Sequence, residues 1–215
     1  MKDHVKKILD ELLARFDCLR GCEKEIVTAY QLMEECYTHG GKVLICGNGG
    51  SQADADHIVG ELMKGFLLKR PVSQEYATQL GRDFEDGAYL AANLQGALPA
   101  ISLGNHNALL TAFSNDVAPD MGFAQQVFGY GKKGDVLIGL TTSGNSGNVV
   151  NAAKIAKSLG VSVVSITGAG GGKIAALSDS AIQLPATETY LVQELTLPVY
   201  HALCAMIEAH FFACS

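Results

Sequence analysis

His57 and Glu61 stand four residues apart in the run from Gln52 to Met63. On a helix that spacing projects both from one face about 6 Å apart, which suits two ligands of one metal or a ligand beside a general base. A solvated surface pair has the same spacing, so the pair alone leaves the choice open. Just upstream lies Cys46-Gly47-Asn48-Gly49-Gly50-Ser51, and far downstream Thr141-Thr142-Ser143-Gly144-Asn145-Ser146. A glycine turn lets backbone N–H groups approach a ligand, and a helix starting beside it favours an anion. The first run is therefore a natural phosphate site, or else a tight turn without a ligand. In the second, an N-cap would use one hydroxyl; Thr141, Thr142, Ser143 and Ser146 together point to phosphate oxygens bound without added positive charge.

Neither run is a dinucleotide fingerprint. GxGxxG would need glycine where Gln52 stands, and no acidic residue follows on a second strand about twenty residues later. Gly168-Ala169-Gly170-Gly171-Gly172-Lys173 imitates a P-loop, but Thr167 occupies its opening glycine position and Ile174 follows the lysine. It reads as a turn before a short helix.

Loops of this kind need rigid elements on either side. Short apolar runs occur at Lys42 to Cys46, Leu98 to Leu103, Asp135 to Thr141, Val161 to Thr167 and Ala181 to Leu184, with helical patterns between them. Strands that alternate with helices and lack polar alternation predict a parallel sheet covered on both faces. Before them, Val5, Ile8, Leu9, Leu12, Leu13 and Phe16, then Ile26, Tyr30, Met33 and Cys36, recur at helical spacing. Two amphipathic helices ending at His39-Gly40-Gly41 are expected. A long helix from Tyr190 to Phe212 should close the fold, bent at Pro198. Leu67 to Gly96 is long for a connection and is expected to hold a short helix of its own. The fold class is thus α/β, with three layers around a parallel five-stranded sheet. Residues 1–41 form a helical extension and 42–215 the α/β domain.

At 48% hydrophobic and 18% charged residues, the 215-residue chain is too apolar for a disordered protein. Its isoelectric point near 5.5 and net charge of -6 give no general footprint for nucleic acid. No uninterrupted apolar run reaches the roughly 18 residues of a membrane span, and charges interrupt the N-terminal Met1 to Phe16, so the cytoplasm is the expected compartment. Cys18, Cys22, Cys36, Cys46, Cys204 and Cys214 include no CxxC pair. They are expected to be reduced, mostly packed thiols.

CGNGGS, a helix with His57 and Glu61, TTSGNS, and a terminal helix with Gln193 and His201 together resemble the sugar isomerase (SIS) fold and, within it, the phosphoheptose isomerases. The resemblance runs from about Lys42 onward and implies a flavodoxin-like sheet. It implies an aldose–ketose isomerase converting sedoheptulose 7-phosphate to D-glycero-D-manno-heptose 7-phosphate, working as a homotetramer with active sites at subunit interfaces and the N-terminal helices in its bundle. It places Asn48, Gly49, Gly50, Asn115 and Asp116 along the sugar, and Ser51, Thr141, Thr142, Ser143 and Ser146 around the phosphate. His57, Glu61, Gln193 and His201 fall at a zinc ion, one per site, and at the reacting carbons. Glu61 and His201 are then the expected proton-transfer pair, with Gln193 orienting an oxygen.

Gln193 and His201 are eight residues apart, which is about 12 Å along a straight helix. One metal with bonds near ~2.1 Å cannot take both. Either the bend at Pro198 shortens the gap, or the ligands of one site come from different subunits; the second is preferred here. Some positions depart from the family. Tyr190-Leu191 stands where Asp-Arg is usual, Gln52 replaces His or a small residue, and the segment after Leu67 is longer. The alternative is a non-catalytic SIS binding protein resembling the DnaA initiator-associating protein, suggested by NALLTAFSND; joint retention of His57, Glu61, Gln193 and His201 favours the enzyme. Neither membrane nor nucleic acid is expected as a partner.

Overall fold

The computed structural model describes residues 1–213, so Cys214 lies outside the described residues. Helices α1 (Asp3–Arg15) and α2 (Glu23–Thr38), joined by a 3-10 turn, lead into β1 (Val43–Cys46) and α3 (Gly50–Met63). Then follow α4 (Gln74–Asp83), α5 (Gly87–Asn93), β2 (Ala100–Ser102), α6 (Asn107–Asp116), α7 (Gly122–Tyr130), β3 (Val136–Leu140) and α8 (Gly147–Leu159). The chain finishes with β4 (Ser162–Thr167), the one-turn α9 (Gly172–Ala175), β5 (Ser180–Gln183) and α10 (Thr189–Phe212). All five expected strands form, and they pair in parallel in the order β2-β1-β3-β4-β5.

The strands are apolar on both faces because both faces are covered. Val43 and Ile45, Val136 and Ile138, and Val164 and Ile166 point into a core shared with α1, α2, α3 and α10. Their neighbours Leu44, Leu137 and Val163 point the other way, onto α7 and α8. Each such side chain removed from water contributes about 1.5–3 kcal/mol, which the period-two alternation divides between two cores. Val5, Leu9, Ile26, Tyr30 and Met33 lie in the first of these cores, so residues 1–41 pack directly on the sheet domain.

Helix α10 is long and apolar enough to cross a membrane by length and composition, which a search for uninterrupted apolar runs misses. Its residues Val199 to Ala209 are largely buried in the core, the ordinary cause of such a composition. Pro198 stands inside it. Leu67 to Gly96 holds two helices, α4 and α5, where one was expected; they pack on each other. This excursion closes at its base. Pro71 bridges Gln95, Gly96 N–H donates to the Arg70 carbonyl at 2.6 Å, and Gly65 N–H donates to Gln95 Oε1 at 2.6 Å.

Four of the described thiols are buried and Cys18 is exposed. Burial pushes Cys46 up to about 12, and burial followed by nearby Asp135 does the same to Cys36, so neither is a nucleophile at neutral pH. On α10, His210 Nδ1 meets the Tyr30 hydroxyl at 2.9 Å. Burial lowers its pKa below the ordinary 6.5, against the opposing pull of Glu34. The unfolded chain therefore binds this proton more readily than the folded one. The contribution is complete above about 6.5 and is lost as pH falls through the lower folded value. Thermal melts from pH 7.5 to 5 should show Tm falling less steeply in His210→Gln than in the parent; equal slopes would refute this.

Candidate active site

In a sheet of order 2-1-3-4-5, the crossovers from β1 leave in opposite directions on its two sides, opening a crevice at the carboxyl ends of β1 and β3. Both loops singled out from sequence lie there, one after Cys46 and one after Leu140. They are joined by a reciprocal amide pair: Asn48 Nδ2 donates to Asn148 Oδ1 at 3.0 Å, and Asn148 Nδ2 donates to Asn48 Oδ1 at 2.8 Å. Sequence reading missed Asn148, although an amide two residues after Ser146 in a helix's first turn was a usable signal.

Helix α3 starts at Gly50, two residues earlier than expected, with Gly49 at φ +56° before it. Ser51 thus sits inside the first turn and is buried. In the second loop the hydroxyls of Thr141 and Ser146 meet at 2.9 Å, while Thr142 is half-buried and Ser143 exposed. The loop rests on the third glycine cluster, which sequence reading left as a plain turn. Lys173 N–H donates to Asn145 Oδ1 at 3.2 Å and Ile174 N–H to the Gly144 carbonyl at 3.1 Å. Gly144 has φ +69°, and a Cβ there would overlap the Gly171 carbonyl. Gly144→Ala should therefore cost about 2 kcal/mol or more. Urea melts would check it; an unchanged midpoint would refute it.

The third part of the site lies farther along α3. Ser51, Ala55, Ile58 and Leu62 form its buried face, and Glu61 is buried beside them. Helix α10 runs alongside in the same direction, with Gln193 against Gly50 and Tyr200 against His57. The Gln193 amide nitrogen comes within 2.6 Å of where a Cβ on Gly50 would stand. Tyr200 donates its hydroxyl proton to Asp54 Oδ1 at 3.2 Å, and its oxygen faces His57 Nδ1 at 2.9 Å. His57 Nε2 meets Glu61 Oε1 at 3.0 Å, and Lys64 Nζ reaches Glu61 Oε2 at 3.4 Å. The His201 ring stands edge-on to His57 with centroids 4.9 Å apart, and its Nε2 is buried without a hydrogen-bond partner.

The structure thus brings His57, Glu61 and His201 together and leaves Gln193 at the first glycine loop. Positions 50 and 57 of α3 are about 10 Å apart along its axis, which separates Gln193 from the cluster within one chain. Asn115 and Asp116 end α6, exposed, with Asn115 Nδ2 donating to Asp116 at 2.8 Å. Tyr200 and Asp54 escaped sequence reading, although Asp54 is one helical turn before His57 and shares its face.

The family model of the SIS domain matches residues 9–92 and 83–168. The phosphoheptose isomerase of Rhodospirillum rubrum is 36% identical over 208 residues, spanning 97% of each chain. This chain belongs to the SIS domain family, among the phosphoheptose isomerases. Its fold matches phosphoheptose isomerase GmhA from Neisseria gonorrhoeae with a TM-score of 0.68, at 33% identity over 96% of this chain and 92% of that one. A phosphoheptose isomerase from Francisella tularensis matches at 0.73, with 28% identity over 96% and 98%.

Burial dominates the electrostatics of this SIS site. Burial, then the neighbouring His57, lowers the His201 pKa, and Glu61 opposes them. Burial raises Asp54, against the Tyr200 hydrogen bond. If His57 donates from Nδ1 to Tyr200, its Nε2 lone pair faces a carboxylate oxygen, an arrangement that a proton or a cation completes. Together with the unpaired His201 nitrogen, these donor types fit zinc. Among the described residues, no three His, Cys, Asp or Glu side chains already stand in a metal-holding arrangement.

Proposed function

We propose that this chain interconverts sedoheptulose 7-phosphate and D-glycero-D-manno-heptose 7-phosphate by proton transfer through an enediol. The observation that carries the reading is the His57–Glu61–His201 cluster on two parallel helices, one of which starts at a phosphate-type loop. The phosphate is held by Ser51, Thr141, Thr142, Ser143, Ser146 and first-turn N–H groups, and the sugar lies along Asn48, Gly49, Gly50, Asn115 and Asp116. Glu61 takes the proton from the hydroxyl-bearing carbon beside the carbonyl and returns it to the former carbonyl carbon, and His201 carries the hydroxyl proton in the same direction, from the first carbon's oxygen to the second's. Gln193 orients a reacting oxygen. Zinc held by His57, Glu61 and His201 would supply Lewis acidity at the reacting oxygens. The binding-protein alternative is not favoured, since the relatives at this identity are named phosphoheptose isomerases.

The separation of Gln193 from His201 supports a homotetramer in which a neighbouring subunit supplies the missing ligand, with residues 1–41 in its bundle. A mainly apolar cleft of about 350 Å³ between α1 and α10 has His201 in its lining, which supports a partner surface reaching the site. The buried thiols are consistent with the cytoplasm.

The test is incubation with sedoheptulose 7-phosphate in D2O, followed by NMR, with chelated and zinc-restored protein. Conversion with deuterium entering beside the carbonyl is expected, and its absence in both samples would overturn the reading. Chelation should slow turnover at least tenfold and added zinc restore it, with one zinc per chain by elemental analysis. Full activity in metal-free protein would remove zinc from the proposal.

A further inference from the structure

Arg70 and Glu208 form an ion pair with side chains 0% and 1% exposed. Every polar group in it has work elsewhere in the fold. Arg70 Nε donates to Glu208 Oε1 at 2.8 Å, Nη1 to the Leu62 carbonyl at 2.7 Å and Nη2 to the Glu61 carbonyl at 3.0 Å. The guanidinium also stacks on Phe212, 4.7 Å from its ring centre. Glu208 accepts the N–H groups of Phe66, Leu67 and Leu68 at 2.8, 2.7 and 3.1 Å.

A helix end leaves carbonyls unpaired, and Arg70 satisfies two of them at the end of α3. One belongs to Glu61 itself. Glu208 lies seven residues beyond His201, two turns along α10 and on the same side. The same two helices therefore meet twice: once where His57 faces Tyr200 and His201, and once where Arg70 ties the Glu61 backbone to Glu208. Stability alone is a weak reason for such a pair, because apolar side chains of similar volume commonly replace a buried ion pair without loss. A carbonyl cap placed on the residue that must hold its carboxylate beside an imidazole is a stronger one.

We propose that Arg70 and Glu208 are positioning residues for the isomerisation, fixing the end of α3 on α10 so that Glu61 is held in register with His201. This rests on the roles given above to Glu61 and His201. Neither positioning residue is assigned contact with the substrate.

The test separates register from stability. In Arg70→Met/Glu208→Leu, the charges leave together while the cap on the Glu61 carbonyl is lost and the Leu62 carbonyl keeps the Leu98 N–H. Tm should fall, because the N–H groups of Phe66, Leu67 and Leu68 lose their acceptor. At a temperature where the variant stays folded, KM for sedoheptulose 7-phosphate is expected within about twofold, kcat down at least tenfold and amide exchange faster at residues 61–68. Arg70→Lys, which keeps the charge but cannot reach both carbonyls, should show the same split. Parent-like kcat in the folded double variant would overturn the proposal. If the double variant does not fold, parent-like kcat in Arg70→Lys overturns it. If the parent itself does not turn over the sugar, the functional reading fails. The exchange measurement still decides the clamp: unchanged protection at 61–68 in the variants would refute it.

Discussion

Glu61→Gln is expected to lower kcat by about 10² to 10⁴-fold, the range that a positioned proton-transfer group contributes. The carboxamide has the same shape and keeps hydrogen-bonding capacity toward His57, but it cannot take a proton from carbon. Little stability should go with it. Glu61 itself is buried, but its partners His57 and Lys64 are 44% and 61% exposed, so water screens the pairs and their contribution stays at about the 0–1 kcal/mol of exposed pairs. The Glu61 carbonyl stays capped by Arg70 in the variant, so the end of α3 is not released. KM should change by less than about threefold, because the phosphate is assigned to other loops. Steady-state kinetics beside a thermal melt check this; parent-like kcat would remove Glu61 from the mechanism.

His201→Leu should separate activity from stability in the opposite sense. Its Nε2 is buried with no partner, and an unmet buried donor or acceptor costs about 1–3 kcal/mol. Around the ring stand the rings of His57, Tyr200 and Phe66, and Leu197, Ala202 and Ala205 line the same cleft, so leucine would meet mainly ring and aliphatic carbon. In chelated protein, where no metal can sit on this nitrogen, we expect Tm to hold or rise, while in zinc-restored protein kcat falls by about 10² to 10⁴-fold. Calorimetry on the chelated protein and kinetics on the zinc-restored protein read the two. A fall in Tm of several degrees would show that the imidazole is held by favourable contacts, and retained turnover would show that it moves no proton.

Much of this could be read from residue patterns because the chemistry and the fold use the same short-range rules. Apolar runs such as Val136 to Leu140 mark strands of a doubly covered sheet, and the spacing of Val5, Leu9 and Leu12 marks a helix. Those signals are local. The pairing of Asn48 with Asn148 and the Asp54–Tyr200–His57 chain depend on strand order and on which helices lie side by side, and neither is written in any one segment. Arg70 and Glu208 are 138 residues apart, and no local pattern joins them. The third glycine cluster escaped for a similar reason. Its role is to let the backbone of Gly171 and Gly172 approach Gly144, a contact between loops far apart in the chain.

The excursion carrying α4 and α5 leaves at Pro71 and returns at Gln95, partners in an isolated antiparallel bridge and so about 5 Å apart. Joining two points already that close costs little in loop entropy, whatever length of chain hangs from them. The base is thus a port into which cargo can be spliced. A reporter domain whose own ends lie near each other could replace residues 73–94 and be carried outside the sheet, with the register of β1 and β2 left as it is.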